Sequence, residues 1–231
     1  MRLISFKLVL KTLIIFLAAF AVSASAVVDT SVEKKSIQTQ FEPIIQSISQ
    51  QLSTHQQKFE QDPSAYRDFI DQYVRVHWDA KSTTNALLGR DSFKAVEHSL
   101  QRKLVEAVDT TLVRYAFEGY EYYTGQQFKL IDVAVSESGR MGWIQVVMES
   151  PIIPDLNLDI LLKRTKQGVW KAVDVRFKGI TYVAVKKHQF RKILSKQGPE
   201  ALINMLIDKN NNFFNSLCDA VEQKGTQPCR M

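Results

Sequence analysis

Residues that carry chemistry are scarce in this chain. It has four histidines and two cysteines among 231 residues. It contains no G-x-S-x-G, no P-loop and no G-x-G-x-x-G. Nucleophile-elbow hydrolases, nucleotide-driven machines and dinucleotide enzymes each need one of those arrangements, so these classes are set aside. His55, His77, His98 and His188 lie far apart without ligand-like spacing, and each reads as a surface or helix-face residue. Asp132, Asp159 and Asp174 fall at polar positions of strand-like segments and read as a solvated sheet face; Trp170 reads as a packing residue. No metal or cofactor is expected, and no catalytic residue is nominated. The one long apolar run is about ten residues, short of the roughly 20 that a spanning helix needs.

What is present begins at the N-terminus. Arg2, Lys7 and Lys11 precede an apolar run from Leu13 to Val22, and Ala24-Ser25-Ala26 follows it. A basic start, a short apolar core and a small-x-small site read as a cleaved secretory leader over 1–26, which leaves a mature chain of 27–231. Without the leader there are 27 basic residues against 24 acidic ones, a net charge of +3. That surplus reads as scattered. Nucleic-acid recognition wants a concentrated basic stripe and is set aside; a weak preference for an anionic membrane surface or headgroup is left open.

An exported chain works in an oxidising compartment, where paired cysteines are bridged. Cys218 and Cys229 are the only two, with Gly225 and Pro228 between them, so a Cys218–Cys229 disulfide is expected. No histidine lies near either, which argues against a metal site.

The mature length suits one domain. From Val32 to Glu60, apolar Phe41, Ile44, Ile45, Ile48, Leu52 and Phe59 recur at helical spacing, and Asp62-Pro63-Ser64 breaks the pattern. Phe69, Ile70, Tyr73, Val74 and Val76 mark a second helix, and a short one ends on Gly89. A single helix is expected from Ser92 to Phe117. The period then changes to two. Ile131, Val133 and Val135 alternate with polar residues, as do Ile144, Val146 and Met148, then Leu156, Leu158, Ile160 and Leu162, then Val173, Val175 and Phe177. Helical spacing returns through Val183, Phe190, Ile193 and Leu194, and a last helix covers Ala201 to Asp208. Four successive hairpin-linked strands give an antiparallel sheet with one apolar face, and the whole pattern is an α+β domain with helices laid on that face. The inward positions Val133, Val135, Val146, Met148, Leu158, Ile160, Val175 and Phe177, with Tyr73 and Val183 from the helices, are the candidate lining of an apolar cavity. Periodicity does not distinguish a cavity from a solid core.

One stretch goes further. Gly168-Val169-Trp170-Lys171-Ala172-Val173-Asp174-Val175-Arg176-Phe177-Lys178-Gly179-Ile180-Thr181-Tyr182-Val183 resembles the signature W-K-V-x-D-V-x-[VI]-x-G-[VI]-S-x-V of the MlaC family, and Phe190 keeps a Phe that follows it. Gly198 to Leu206 resembles the family's closing helix. Phe69 to Val74, Leu87-Leu88-Gly89, and Leu104 to Gly125 sit where similar segments belong. The resemblance spans roughly 41–209. It departs where the family has Asn-Tyr-Arg and this chain has Val185-Lys186-Lys187.

The resemblance implies a periplasmic phospholipid carrier, of the toluene-tolerance type. Such a protein passes lipid between an outer-membrane lipoprotein complex and an inner-membrane ABC transporter, keeping the outer membrane asymmetric. The implied fold is a four- to five-stranded antiparallel sheet packed by helices, related to nuclear transport factor 2, with acyl chains between sheet and helices. Lys186 and Lys187 are the candidate mouth residues for the headgroup, the protein is expected to be a monomer, and phospholipid is cargo rather than cofactor. Two alternatives stand beside this: a binding module for another hydrophobic ligand such as a fatty acid or solvent, and an enzyme on the same cavity fold, for which only scattered acid–base candidates exist.

Overall fold

A computed structural model describes residues 29–150, 154–223 and 229. The expected leader, Pro151 of the loop after the second strand, and Gly225 and Pro228 of the tail lie outside those residues.

The long helix α1 (Thr30–Gln61) starts where the Asp29 side chain accepts the Ser31 N–H and stops at Asp62. Asp62 then caps α2 (Pro63–Phe69) through the Ser64 and Ala65 N–H groups, with Pro63 at a first-turn position where its missing N–H does no harm. The segment expected to continue as one helix instead tightens and widens, through a π turn Ile70–Val74 and a 3₁₀ turn Arg75–His77. Helix α3 (Ala80–Leu88) ends at Gly89, whose φ of +86° is left-handed and favours glycine.

The single helix expected from Ser92 is two: α4 (Arg90–Ala95) and α5 (His98–Tyr120). At the break, Val96 is extended, and Gln101 Nε2 donates to its carbonyl at 2.7 Å. A local side chain thus competes with the helical ladder and wins.

The sheet order is β1-β2-β3-β4-β5, all antiparallel. Its strands are β1 (Gln127–Val135), β2 (Met141–Glu149), β3 (Leu156–Arg164), β4 (Trp170–Phe177) and the two-residue β5 (Ile180–Thr181). Two bulges change which residues face inward. One, between Leu130 and Asp132, puts Leu130 and Val133 on the inner face and leaves Ile131 52% exposed, against the alternation expected from Ile131. The other sets Leu162 opposite Ala172 and Ile160 opposite Val175, so Val173 is the extra, unpaired residue, itself buried.

Helix α1 lies on the inner face. Ile37, Phe41 and Ile45 pack with Val133, Ile144, Val146, Leu162, Trp170 and Ala172. The approach is close enough that a Cβ at Gly142 would meet Ile37 Cδ1 at 2.8 Å. Trp170 is fully buried there, the packing role its sequence context implied.

Helix α6 (Tyr182–Gln197) follows β5, and Gly198-Pro199 turns the chain into α7 (Pro199–Glu222). α7 runs well past the expected end at Asp208. Three asparagines after Lys209 read as helix breakers, but Asn210 is buried and satisfied: it donates to Ala107 O at 3.2 Å and accepts from Arg114 Nε at 3.1 Å. Tertiary pairing overrides propensity. Cys218, in α7, is bonded to Cys229 with Cα atoms 5.2 Å apart.

Candidate functional site

Apolar burial in this fold is divided. One cluster is the α1–sheet packing just described. A second joins the end of α1 to α2, α5 and α7 through Phe59, Tyr66, Phe69, Phe117 and Phe214. A third holds α3, α5, α6 and α7 around Leu87, Leu104, Phe190 and Leu202. The candidate lining residues fall on these as follows.

Val133 and Val146 are 2% and 1% exposed and belong to the solid packing under α1. Val135 and Ile160 sit half-buried against that same cluster. Met148, Leu158 and Val175 are half-buried, and Phe177 is 42% exposed. Register connects them: Ile160 pairs with Val175 and Leu158 with Phe177, so the inner face continues beyond α1 as a strip of incompletely covered aliphatic side chains. Tyr73, in the π turn, packs half-buried on the second cluster, and Val183 on the third. All three clusters therefore present partly covered apolar residues from the nominated set.

At the start of α6 stands a polar group that sequence reading missed. The Tyr182 ring meets Tyr115 edge-on, with centroids 5.4 Å apart. Arg114 lies 4.6 Å and Lys186 Nζ 5.7 Å from the Tyr115 ring centroid. Arg114 is already committed, to Glu118 at 2.5 Å and to Asn210. Lys186 has no carboxylate partner among the described residues, and Lys187 is exposed beside it. Tyr182 Oη is buried and, among the described residues, has no hydrogen-bond partner. Burial and the neighbouring Tyr115 push its pKa up, which keeps the hydroxyl protonated and able to donate.

The backbone at this helix start is spoken for: Thr181 Oγ1 accepts the Ala184 N–H at 3.1 Å and Asp174 Oδ1 the Val183 N–H at 3.2 Å. An anion arriving here would be held by side chains. Asp174 also corrects an expectation, since it is 5% exposed and not on a solvated face. It caps α6, a demand made by a helix that periodicity alone could not place next to β4. Asp159 does lie on the outer face, paired with Arg176 at 2.8 Å, and Arg176 in turn covers Trp143 at 4.3 Å.

The one signal for the tyrosine pair in the sequence was two aromatic residues on separate helical segments, with nothing to say that they meet. Charge was more legible than expected. Between Asp174 and Glu200 there are seven basic residues (Arg176, Lys178, Lys186, Lys187, Arg191, Lys192, Lys196) and no acid, which corrects the reading of a scattered surplus.

Other openings have different character. A groove of about 720 Å³ between α1 and the edge strand β1 is walled largely by Gln46, Ser49, Gln50, Ser53 and Gln127. A depression of about 330 Å³ lies between the α4–α5 break and the end of α6. Neither reaches the aliphatic strip. Among the described residues no three His, Cys, Asp or Glu gather as a metal site requires, and no helix is long and apolar enough to cross a membrane.

Comparison with known proteins decides the family. The family model described as MlaC protein matches residues 42–208, most of the chain. The protein belongs to the MlaC family. A solved structure with the same fold is a phospholipid-binding protein from Ralstonia solanacearum in complex with a phospholipid. It is 16% identical, covers 78% of this chain and 98% of its own, and superposes with a TM-score of 0.64. No curated protein matches the MlaC-family chain at a significant level.

Proposed function

We propose that this protein is a periplasmic phospholipid carrier, exported behind the 1–26 leader. It passes lipid between an outer-membrane lipoprotein complex and an inner-membrane ABC transporter and so maintains outer-membrane asymmetry. The observation that carries this reading is the incompletely covered apolar strip of Met148, Leu158, Ile160, Val175 and Phe177 in a chain of the MlaC family. The Ralstonia protein of the same fold, which binds a phospholipid, supports it.

The physical case is simple. Exposing two acyl chains to water costs on the order of 25 kcal/mol, at about 0.8 kcal/mol per methylene, so free diffusion of phospholipid through an aqueous gap is negligible. A carrier exchanges one apolar environment for another with a net change near zero. Direction is then supplied by the membrane complexes, which suits a chain with no nucleotide motif.

In this reading the acyl chains lie along the strip, with Tyr73 and Val183 on the helical side, and Val133 and Val146 belong to the rigid packing beside it. The phosphate stays at the mouth, because burying an unpaired charge is costly. There the Tyr182 hydroxyl donates to it, and Lys186 and Lys187 balance its charge. Lysines recognise the shared phosphate without fixed geometry, so headgroup type is loosely discriminated.

The test is organic extraction of protein purified from the periplasm, followed by mass spectrometry. Phospholipid in near-stoichiometric amount is expected. A fatty acid or another apolar molecule in its place, or no lipid at all, would overturn the carrier reading.

A further inference from the structure

The tip formed by the β4–β5 turn and the first turn of α6 carries large apolar side chains in the open. Ile180 is 61% exposed, Val185 58% and Phe177 42%. They are neighbours by construction. Phe177 and Ile180 are cross-strand partners, and Ile180 precedes the N-cap Thr181 while Val185 is the fourth helical residue. Those last two are the positions that a hydrophobic staple, which fixes how a chain enters a helix, would use. A staple needs only mutual contact, and it does not account for side chains this exposed.

The unpaired charge around this tip has one sign, since Arg176, opposite Thr181, is already paired with Asp159 at 2.8 Å. Lys178 lies over the Phe177 ring at 5.4 Å. Val185, His188, Lys192 and Lys196 are all exposed and recur at three or four residues, so they share the outward face of α6. None of Lys178, Lys187, Lys192 and Lys196 makes an ion pair with a described residue. With the seven basic residues of this stretch set apart, the rest of the mature chain has 20 basic residues against 24 acidic ones, so the mature chain is net positive only with this stretch included.

We propose that this face docks on an anionic lipid surface, with Ile180 and Val185 entering the interfacial layer and Lys178, Lys192 and Lys196 resting on the headgroups. Charge complementarity selects that occupant: apolar side chains at the start of α6, continued along the same helix face by exposed, unpaired lysines, match a fluid surface of lipid phosphates. The inference rests on the carrier reading for its purpose, since the tip adjoins Lys186 and Tyr182 at the cargo mouth and would bring that mouth to the bilayer. Its evidence and its test are separate from lipid retention.

The test is flotation of the full mature chain with vesicles of phosphatidylcholine alone and of phosphatidylcholine with phosphatidylglycerol in equal parts. Binding to the anionic vesicles at low salt, released by added salt, is expected, because the attraction is screened within a Debye length. Each lysine at such a surface contributes roughly fivefold, so the triple variant Lys178→Gln, Lys192→Gln, Lys196→Gln should bind on the order of a hundredfold more weakly. The pair Ile180→Ser and Val185→Ser should lose about tenfold without changing the salt dependence. All five positions are exposed, so circular dichroism should match the wild type. Equal binding to both vesicle types, or unchanged binding by the variants, overturns the docking face. So does a wild-type protein that stays off the vesicles, in which case the patch suits an acidic protein surface. If that protein still carries extractable phospholipid, docking falls and the carrier reading stands.

Discussion

The Asp174 carboxylate, on β4 and 5% exposed, accepts the backbone N–H of Val183, nine residues later in the first turn of α6, at 3.2 Å. The same oxygen accepts the Val175 N–H at 2.9 Å. One side chain therefore ties the sheet to the helix that carries Tyr182 and Lys186. Asp174→Ala should leave a partly buried N–H without its acceptor and cost about 1–3 kcal/mol, read from the urea midpoint, with Asp174→Asn milder because it keeps an acceptor. An unchanged midpoint in the alanine variant would mean that this bond does not hold α6 in place.

Ile160 and Val146 share the inner face but differ in cover. Ile160 is half-buried on the strip, whereas Val146 is 1% exposed beneath α1. Ile160→Asp should keep its far-ultraviolet circular dichroism and lose co-purifying lipid. Val146→Asp should fail to fold stably, since an unpaired carboxylate in a packed core costs more than a domain's margin allows. Full lipid content in a folded Ile160→Asp protein would move the acyl site elsewhere.

Tyr182→Phe deletes only the hydroxyl that lacks a partner among the described residues. Stability of lipid-free protein should stay level or rise by up to about 1 kcal/mol, because nothing bonded is lost. Retention of phospholipid on dilution should weaken several-fold. Undiminished retention would remove Tyr182 from the headgroup site.

His77 is half-buried, its ring centroid 6.5 Å from that of Phe41. Burial, and then the nearby Lys171 charge, hold its pKa below the usual 6.5. The folded protein disfavours the imidazolium, so the unfolded chain binds more protons as the pH falls below 6.5. Stability should drop as pH is lowered from above 6.5 through the folded pKa, and then level off. His77→Gln should flatten that part of a melting-temperature profile; an identical slope in the variant would assign the effect to other groups.

The Cys218–Cys229 bridge closes a short loop on the end of α7, where the Cys229 N–H also donates to Glu222 at 3.2 Å. Unreduced, denatured protein should show no free thiol. Reduction should remove no more than about 2–3 kcal/mol by the loop-entropy argument, a loss of several degrees in melting temperature. Two titratable thiols before reduction would refute the bridge.

Side-chain period alone determined much of this protein. The 3.6-residue recurrence from Phe41 to Phe59 and the alternation in four later segments follow from burying one face of each element, and burial leaves a direct trace in composition along the chain. The ordered signature around Trp170 carried the family for the same reason, as a string of local demands. What the sequence left open depends on which segments meet. The bulges after Leu130 and Ala172 shift inward positions by one residue, which alternation cannot register. Asn210 stays helical because Ala107 and Arg114 satisfy it from another helix. Asp174 is buried because α6 begins beside it, and Tyr182 meets Tyr115 although 67 positions separate them in sequence. Whether Leu158 and Val175 end as core or as an open strip was decided by how far α1 extends over the sheet, a property of helix placement that no single segment encodes.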